Sequence, residues 1–239
     1  MKNKLLIFII SYKAKYRVGN VYKKIPFKKL KKFKTKVLFS DDASRDSTCD
    51  YIKKINNKNV IKNFNAKNLG YGGNIKKCLN YSKKNKFHYA VMLHGDGQYN
   101  PKYLPAMLNE LLLESVSAVT GSRMLNKKNA LKGKMPIYKF LGNIILTFLT
   151  NFITSKNFTD CHSGFWAYKM NIFNKIKLNK ITNGFNFDQQ IRLQCVKNEF
   201  KINEIPIQTF YGTERSSAHF VYAIRYFFEL LKFLFPSKF

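Results

Sequence analysis

The chain has 239 residues, 45% of them apolar, enough for one large α/β domain with a substantial core and too few for two of ordinary size. Its 43 Lys and Arg stand against 13 Asp and Glu, a formal net charge of +30 that excludes an acidic surface and favours anionic partners. Only six of the basic residues are Arg, and Lys, Asn, Ile, Phe and Tyr are in excess along the whole chain. Most lysines are therefore read as solvated surface, and no nucleic-acid partner is expected.

In chain order, residues 5–10 form a short apolar run between Lys2 and Lys13. It resembles a signal peptide but is short and lacks a small-residue cleavage site, so it is read as a buried first strand. Further strands are predicted at 36–40, 59–63, 89–93 and 116–120, and helices at 18–25, 47–55, 73–83 and 101–114. Near-continuous apolar strands alternating with helices predict a doubly wound, mostly parallel sheet covered on both faces. Residues 137–154 are apolar but interrupted by Asn143, Thr147, Thr150 and Asn151. Residues 218–235 are aromatic-rich, with Arg225, Glu229 and Lys232 at i, i+4 and i+7 on one helical stripe. The domain is placed at 1–217, followed by an amphipathic helix at 218–239 for a membrane surface or for packing. No transmembrane span of ordinary length and purity is expected. Cys49, Cys78, Cys161 and Cys195 show no metal-ligand spacing and are read as thiols in a reducing compartment.

In a chain with only seven Asp, those in short unusual segments are the first candidates for chemistry. They are Asp41, Asp42, Asp46, Asp96, Asp160 and Asp188. Ligands of open α/β sheets bind beyond the carboxyl ends of strands, which here carry Ser11-Tyr12, Asp41-Asp42 and His94-Gly95-Asp96-Gly97-Gln98. If residues 94–98 are extended, His94, Asp96 and Gln98 project to one side and can close on a divalent cation; alternatively, Asp96 caps a helix starting at Pro101. The segment 41–48 reads either as carboxylates for a base and ribose or as a capped βα turn, with Asp46 or Ser47 as the cap. Gly70, Gly72 and Gly73 lie in a turn at a helix start, a weak phosphate-cradle signal without the P-loop ending.

Taken in order, Ile10-Ser11-Tyr12, 41–48, Asn68-Leu69-Gly70-Tyr71-Gly72-Gly73-Asn74, 94–98, Gly121-Ser122-Arg123, 160–168 and Phe187-Asp188 resemble family 2 glycosyltransferases of the GT-A fold. The similarity extends to the branch of dolichyl- and polyprenyl-phosphate sugar synthases. It implies an inverting, metal-dependent transfer from a nucleotide-diphosphate sugar to a lipid phosphate, by a protein peripheral on the cytoplasmic face of a membrane. The apolar faces of the 218–235 helix and the abundant lysines suit an anionic membrane surface, the alternative being packing on the protein or on a second subunit. The resemblance also implies that Ser11, Tyr12, Asp41, Asp42, Asn68, Gly70, Gly73 and Asp96 bind the donor. The metal, Mn²⁺ or Mg²⁺, would fall to His94, Asp96 and Gln98, and acceptor phosphate to Arg123 and Arg215. Three positions depart from the family pattern: Lys13-Ala14 replaces Asn-Glu, His94 replaces the first Asp of the DxD motif, and Trp166 replaces Arg. Imidazole in the ligand set favours Mn²⁺ over Mg²⁺.

Asp96, Asp160 and Arg123 are the candidate catalytic residues. A phosphate acceptor, already ionised at neutral pH because its second pKa is ~6, needs no base. A sugar hydroxyl acceptor would need one, with Asp160 the candidate by sequence order. The rivals of other classes are a basic nucleic-acid-binding module and an inactive homologue.

Overall fold

The computed structural model describes residues 2–209, 211 and 220–235 of the chain. Its strands are β1 (Lys4–Ser11), β2 (Lys34–Asp41), β3 (Val60–Phe64), β4 (Tyr89–His94), β5 (Val116–Ser122), β6 (Trp166–Lys169) and β7 (Lys201–Pro206). Among the described residues they form one seven-stranded sheet in the order β3-β2-β1-β4-β6-β5-β7. The sheet is parallel from β3 through β4; β6 runs antiparallel to both neighbours, and β7 is parallel to β5.

The apolar run of β1 has the composition of a central strand because both of its faces are covered. Leu5, Ile7 and Ile9 enter one core with α1 (Arg17–Lys23), α2 (Thr48–Lys53) and α4 (Leu104–Leu112). Leu6, Phe8 and Ile10 enter the other with α3 (Tyr71–Lys84) and α7 (Phe187–Lys197). Asp46 closes the β2–α2 turn by accepting the Thr48 N–H at 2.9 Å. Asn100, not Asp96, caps the turn at Pro101 by accepting the Lys102 N–H at 3.0 Å.

The second half departs more from the sequence reading. β6 is only four residues long, and β7 is an edge strand whose partly exposed residues break any apolar run, so neither is announced by a strand pattern. After the short α5 (Lys127–Lys132), residues expected as an interrupted stretch form one unbroken helix, α6 (Ile137–Thr154). By length and composition it is long and apolar enough to cross a membrane, with a mean hydropathy of 1.3, although Asn143, Thr147, Thr150 and Asn151 interrupt it. The C-terminal helix α8 (Phe220–Leu234) packs through buried Tyr226 and Leu230 against α6, Cys161 and Leu193, forming a third core.

Candidate active site

Three adjacent strand ends supply the first half of the site. Ser11 pairs with Asp41 across β1 and β2, while Ile10 pairs with His94 across β1 and β4. Strand order runs outward from β1 in both directions, so the crevice at its carboxyl end is a topological switch point. Beyond the ladder, the Asp42 N–H donates to the Ser11 carbonyl and the Gly95 N–H to the Ile10 carbonyl, both at 2.8 Å. The Ser11 hydroxyl is buried without a protein partner, and a Cβ at Gly95 would collide with it. Tyr12 beside it is half exposed.

The two neighbouring carboxylates are used differently. Asp41 holds its own turn, accepting the Ser44 N–H at 2.9 Å, the Ser44 hydroxyl at 2.6 Å and the Cys49 thiol. Asp42 accepts the Leu69 N–H at 2.8 Å and the Asn65 amide at 2.9 Å on a single oxygen, leaving the other outside these bonds. Asp42 is thus the better placed of the two to meet a ligand. Asn68 ties this loop to the Asp42 carbonyl and accepts the Gly70 N–H.

The glycine turn serves a different neighbour from the one expected. The N–H groups of Gly72 and Gly73 donate to the Asn183 carbonyl, at 2.7 and 3.2 Å. A Cβ at Gly70, where φ is +78°, would lie 2.8 Å from that oxygen, and one at Gly72 would lie 2.5 Å from the Thr182 carbonyl. The close backbone approach that requires glycine is made by the 182–184 loop, so these amides do not stand open as a phosphate cradle.

The segment 94–98 is not extended. The Gly97 N–H donates to the His94 carbonyl at 3.2 Å, and Gly97 has φ +80°, which makes a turn. Alternation therefore stops at His94, and His94, Asp96 and Gln98 are not brought to one side by an extended backbone. Asp96 is exposed, with one oxygen accepting the Gln98 N–H at 2.9 Å. His94 turns the other way, against the edges of Tyr71 and Tyr99 and the backbone of Gly164, its Nε2 3.4 Å from the Tyr71 hydroxyl. Burial pushes its pKa down, opposed by Asp96 and the Gly164 backbone. Among the described residues no three His, Cys, Asp or Glu side chains group as a metal cluster. The donor set thus fits a cation held by Asp96 with Gln98 nearby and largely by a diphosphate, and does not fit His94 as a ligand in this placement. The case for Mn²⁺ over Mg²⁺ falls with it.

The second half lies past β5. Arg123 Nε and Nη2 donate to the two Asp160 oxygens at 2.7 and 2.8 Å, the Arg123 backbone N–H adds a bond of 3.0 Å, and Nη1 donates to the Tyr211 hydroxyl at 2.7 Å. Asn143 of α6 donates to the same carboxylate at 2.8 Å, and Glu204 of β7 holds the 159–160 backbone. Burial alone would raise the Asp160 pKa, but the Arg123 guanidinium outweighs it and holds the carboxyl well below the usual range. Both Asp160 oxygens are engaged, so Asp160 positions Arg123 and is unsuited as a general base. Of the five guanidinium N–H groups of Arg123, two remain for a ligand. Lys139, which the sequence reading missed, stands 5.4 Å over the Tyr211 ring; burial and Arg123 both lower its pKa. Arg215 lies outside the described residues.

Between the halves lies a buried acid. Burial raises the pKa of Asp188 to about 7, against the Tyr71 hydroxyl bonded to it at 2.7 Å and the charge of Arg192. Tyr71 in turn stacks on the half-exposed Phe185. Arg192 is fully buried between Phe158 and Trp166, donating to the Asp160 carbonyl at 3.1 Å. The scarcity of Asp and the Phe187-Asp188 motif mark Asp188 in the sequence; nothing in the spacing announces its partner Tyr71, which is 117 residues away.

At the carboxyl ends of a mostly parallel sheet, where open α/β sheets bind their ligands, Asp42 keeps one oxygen outside its bonds on one side and an anchored Arg123 stands on the other. Residues 8–177 match Glycosyl transferase family 2, and the chain belongs to that family. It is similar to an uncharacterized protein of Methanocaldococcus jannaschii, 28% identical and covering all of this chain and 94% of that one. It is also similar to the UDP-N-acetylglucosamine–dolichyl-phosphate N-acetylglucosaminyltransferase of Methanococcus voltae, 26% identical over 76% of this chain and 77% of the other. In fold it resembles glucosyl-3-phosphoglycerate synthase of Mycobacterium tuberculosis in complex with UDP, with a TM-score of 0.74, 11% identity, and 97% and 80% of the two chains covered. The same enzyme with Mn²⁺, UDP and phosphoglyceric acid gives a TM-score of 0.71 at 10% identity, covering 97% and 78%. Those neighbours establish the GT-A architecture of this glycosyltransferase.

Proposed function

We propose that the enzyme transfers a sugar, with inversion, from a nucleotide-diphosphate sugar to a polyprenyl-phosphate-type lipid. The observation that carries the choice of acceptor is the engagement of Asp160: a hydroxyl acceptor needs a carboxylate base, and this one is locked to Arg123 and Asn143. The other candidate base, Asp188, has its second oxygen buried and its first on Tyr71. A lipid phosphate carries its own negative charge and needs neither. The dolichyl-phosphate acceptor in the name of the Methanococcus voltae relative supports the same class.

In this reading Ser11, Tyr12 and Asp42 face the nucleoside, and Asp96 with Gln98 faces the donor diphosphate. A divalent cation bound there would offset charge on that diphosphate. Arg123, held rigid by Asp160 and Tyr211, presents its remaining N–H groups to the acceptor phosphate. A phosphate oxygen forms a bond to the anomeric carbon on one face as the bond to the donor β-phosphate oxygen breaks on the other. The nucleotide diphosphate leaves with the electron pair. Asp41 and the glycine turn fix the loops around this path.

A thermal-shift screen of nucleotide sugars with and without Mn²⁺ or Mg²⁺ tests the donor half. One donor class should raise the melting temperature only with a cation present, and Asp96→Asn should abolish that increment. The reading fails if no nucleotide sugar stabilises the protein under any cation.

A further inference from the structure

Helix α6 is built inside out. A surface helix ordinarily turns its apolar stripe toward the core and its polar residues toward water. Here the buried positions are Asn143, Thr147, Thr150 and Thr154, at i, i+4, i+7 and i+11. Each is bonded: Asn143 to Asp160, Thr147 to Asn143 and to the Cys161 N–H, Thr150 to the Tyr226 hydroxyl, and Thr154 to the Thr150 carbonyl. The outward side carries Ile137, Tyr138, Leu141, Ile145, Phe148 and Phe152, each between 52% and 78% exposed. Helix α8, packed against α6 through Tyr226, also leaves Ile224, Phe227 and Phe228 half exposed. So large a continuous apolar face marks a binding surface, not ordinary scatter.

We propose that this face rests on an anionic lipid bilayer, with α6 lying in the headgroup plane and Arg123 held at the membrane surface. Charge selects the occupant. Helix α6 contains no acidic residue, Lys127, Lys128 and Lys134 precede it, Lys139 lies on it, and Lys156 follows. On α8 the sole acid, Glu229, is paired with Lys232 at 3.6 Å. A second copy on this face would set one +30 chain against another, whereas anionic headgroups complement the lysine border. The bonded inner face also explains why a helix long enough to cross, about 27 Å, lies flat: Asn143, Thr147 and Thr150 fasten it to Asp160, Cys161 and Tyr226.

The inference deepens the acceptor reading and rests on it for its purpose. Asn143 on the inner face bonds the carboxylate that grips Arg123, so the guanidinium stands about one helix diameter, roughly 10 Å, from the lipid. A phosphate on a membrane-embedded chain would arrive on that side.

The test is flotation of the full chain with vesicles of phosphatidylcholine alone or mixed with phosphatidylglycerol. The wild type should bind the mixed vesicles, and the triple variant Ile145→Glu, Phe148→Glu, Phe152→Glu should lose about tenfold or more of that binding. The triple leucine variant at the same positions should keep it. The glutamate variant should retain its donor-induced thermal shift, showing that the domain is folded. As a second readout, Phe148→Trp should shift its emission to the blue on mixed vesicles. Undiminished vesicle binding by the glutamate variant, or no emission shift, would overturn the proposal. So would a wild-type dimer that the glutamate substitutions dissolve. Vesicle binding with transfer only to a soluble hydroxyl acceptor would sink the acceptor reading and leave the docking surface standing.

Discussion

At the carboxyl ends of β1, β2 and β4 the site side chains ride on strands whose apolar residues fill cores on both sheet faces. Around Arg123 and Asp160 they ride on loops and on α6, whose buried residues are all polar while Ile137, Tyr138, Leu141, Ile145, Phe148 and Phe152 face out. The first arrangement keeps a ligand site rigid by ordinary burial and exposes only a few polar tips. The second keeps it rigid by a bonded polar network and gives the apolar surface to the outside. Substitutions at the two ends should therefore fail differently: at the strand ends function is lost without stability, and in the network stability goes first.

The largest effect is expected at the strand ends. Asp96→Asn, on an exposed turn, should cut transfer by about a thousandfold while the melting temperature moves little, since the side chain supports no packing. Steady-state kinetics beside a thermal melt would show it, and a large loss of stability would erase the contrast. Asp160→Ala should instead destabilise the fold by about 3–5 kcal/mol, because it strands a buried guanidinium. Urea denaturation measures this; a loss of activity with stability intact would move Asp160 into direct chemistry.

Asp188 sharpens the comparison by pH. In the folded chain its carboxyl keeps its proton up to about pH 7, whereas unfolded it releases it near the ordinary value of about 4. The folded state is the better proton binder between those values, so stability from this group is lost as pH rises from about 4 to about 7. Asp188→Asn should flatten that slope, removing on the order of 4 kcal/mol of pH dependence, and should change transfer by no more than a few-fold. An unchanged stability profile would remove the buried acid from the account, and abolished transfer would make it a base. The smallest effect belongs to Arg123→Lys, which keeps the charge but loses the two-pronged grip on Asp160 and should slow transfer roughly ten- to fiftyfold. Unaltered kinetics in that variant would return Arg123 to a structural role.

The parallel half of the fold was readable because a strand covered on both faces must be apolar throughout, so 5–10 and 89–93 announce themselves. The strand-end rule then brought Ser11, Asp42 and Asp96 to one crevice. It misled at His94, where the ladder ends in a turn and the ring packs against Tyr71 and Tyr99. The network around Asp160 was not readable because its partners lie far apart in sequence: Asn143, Tyr211 and Glu204 meet it only through the fold. The polar residues of α6 looked like interruptions of an apolar stretch, and only the structure shows that they are its buried side.

The most direct test of the central claim is product analysis with purified enzyme, a labelled donor chosen by thermal shift, a divalent cation, and polyprenyl phosphate in anionic vesicles set against soluble sugar acceptors. The account predicts a labelled lipid product formed with one equivalent of nucleotide diphosphate, absent in Asp96→Asn and with no comparable labelling of sugar hydroxyls. Labelling of a sugar hydroxyl with none in the lipid phosphate would contradict it.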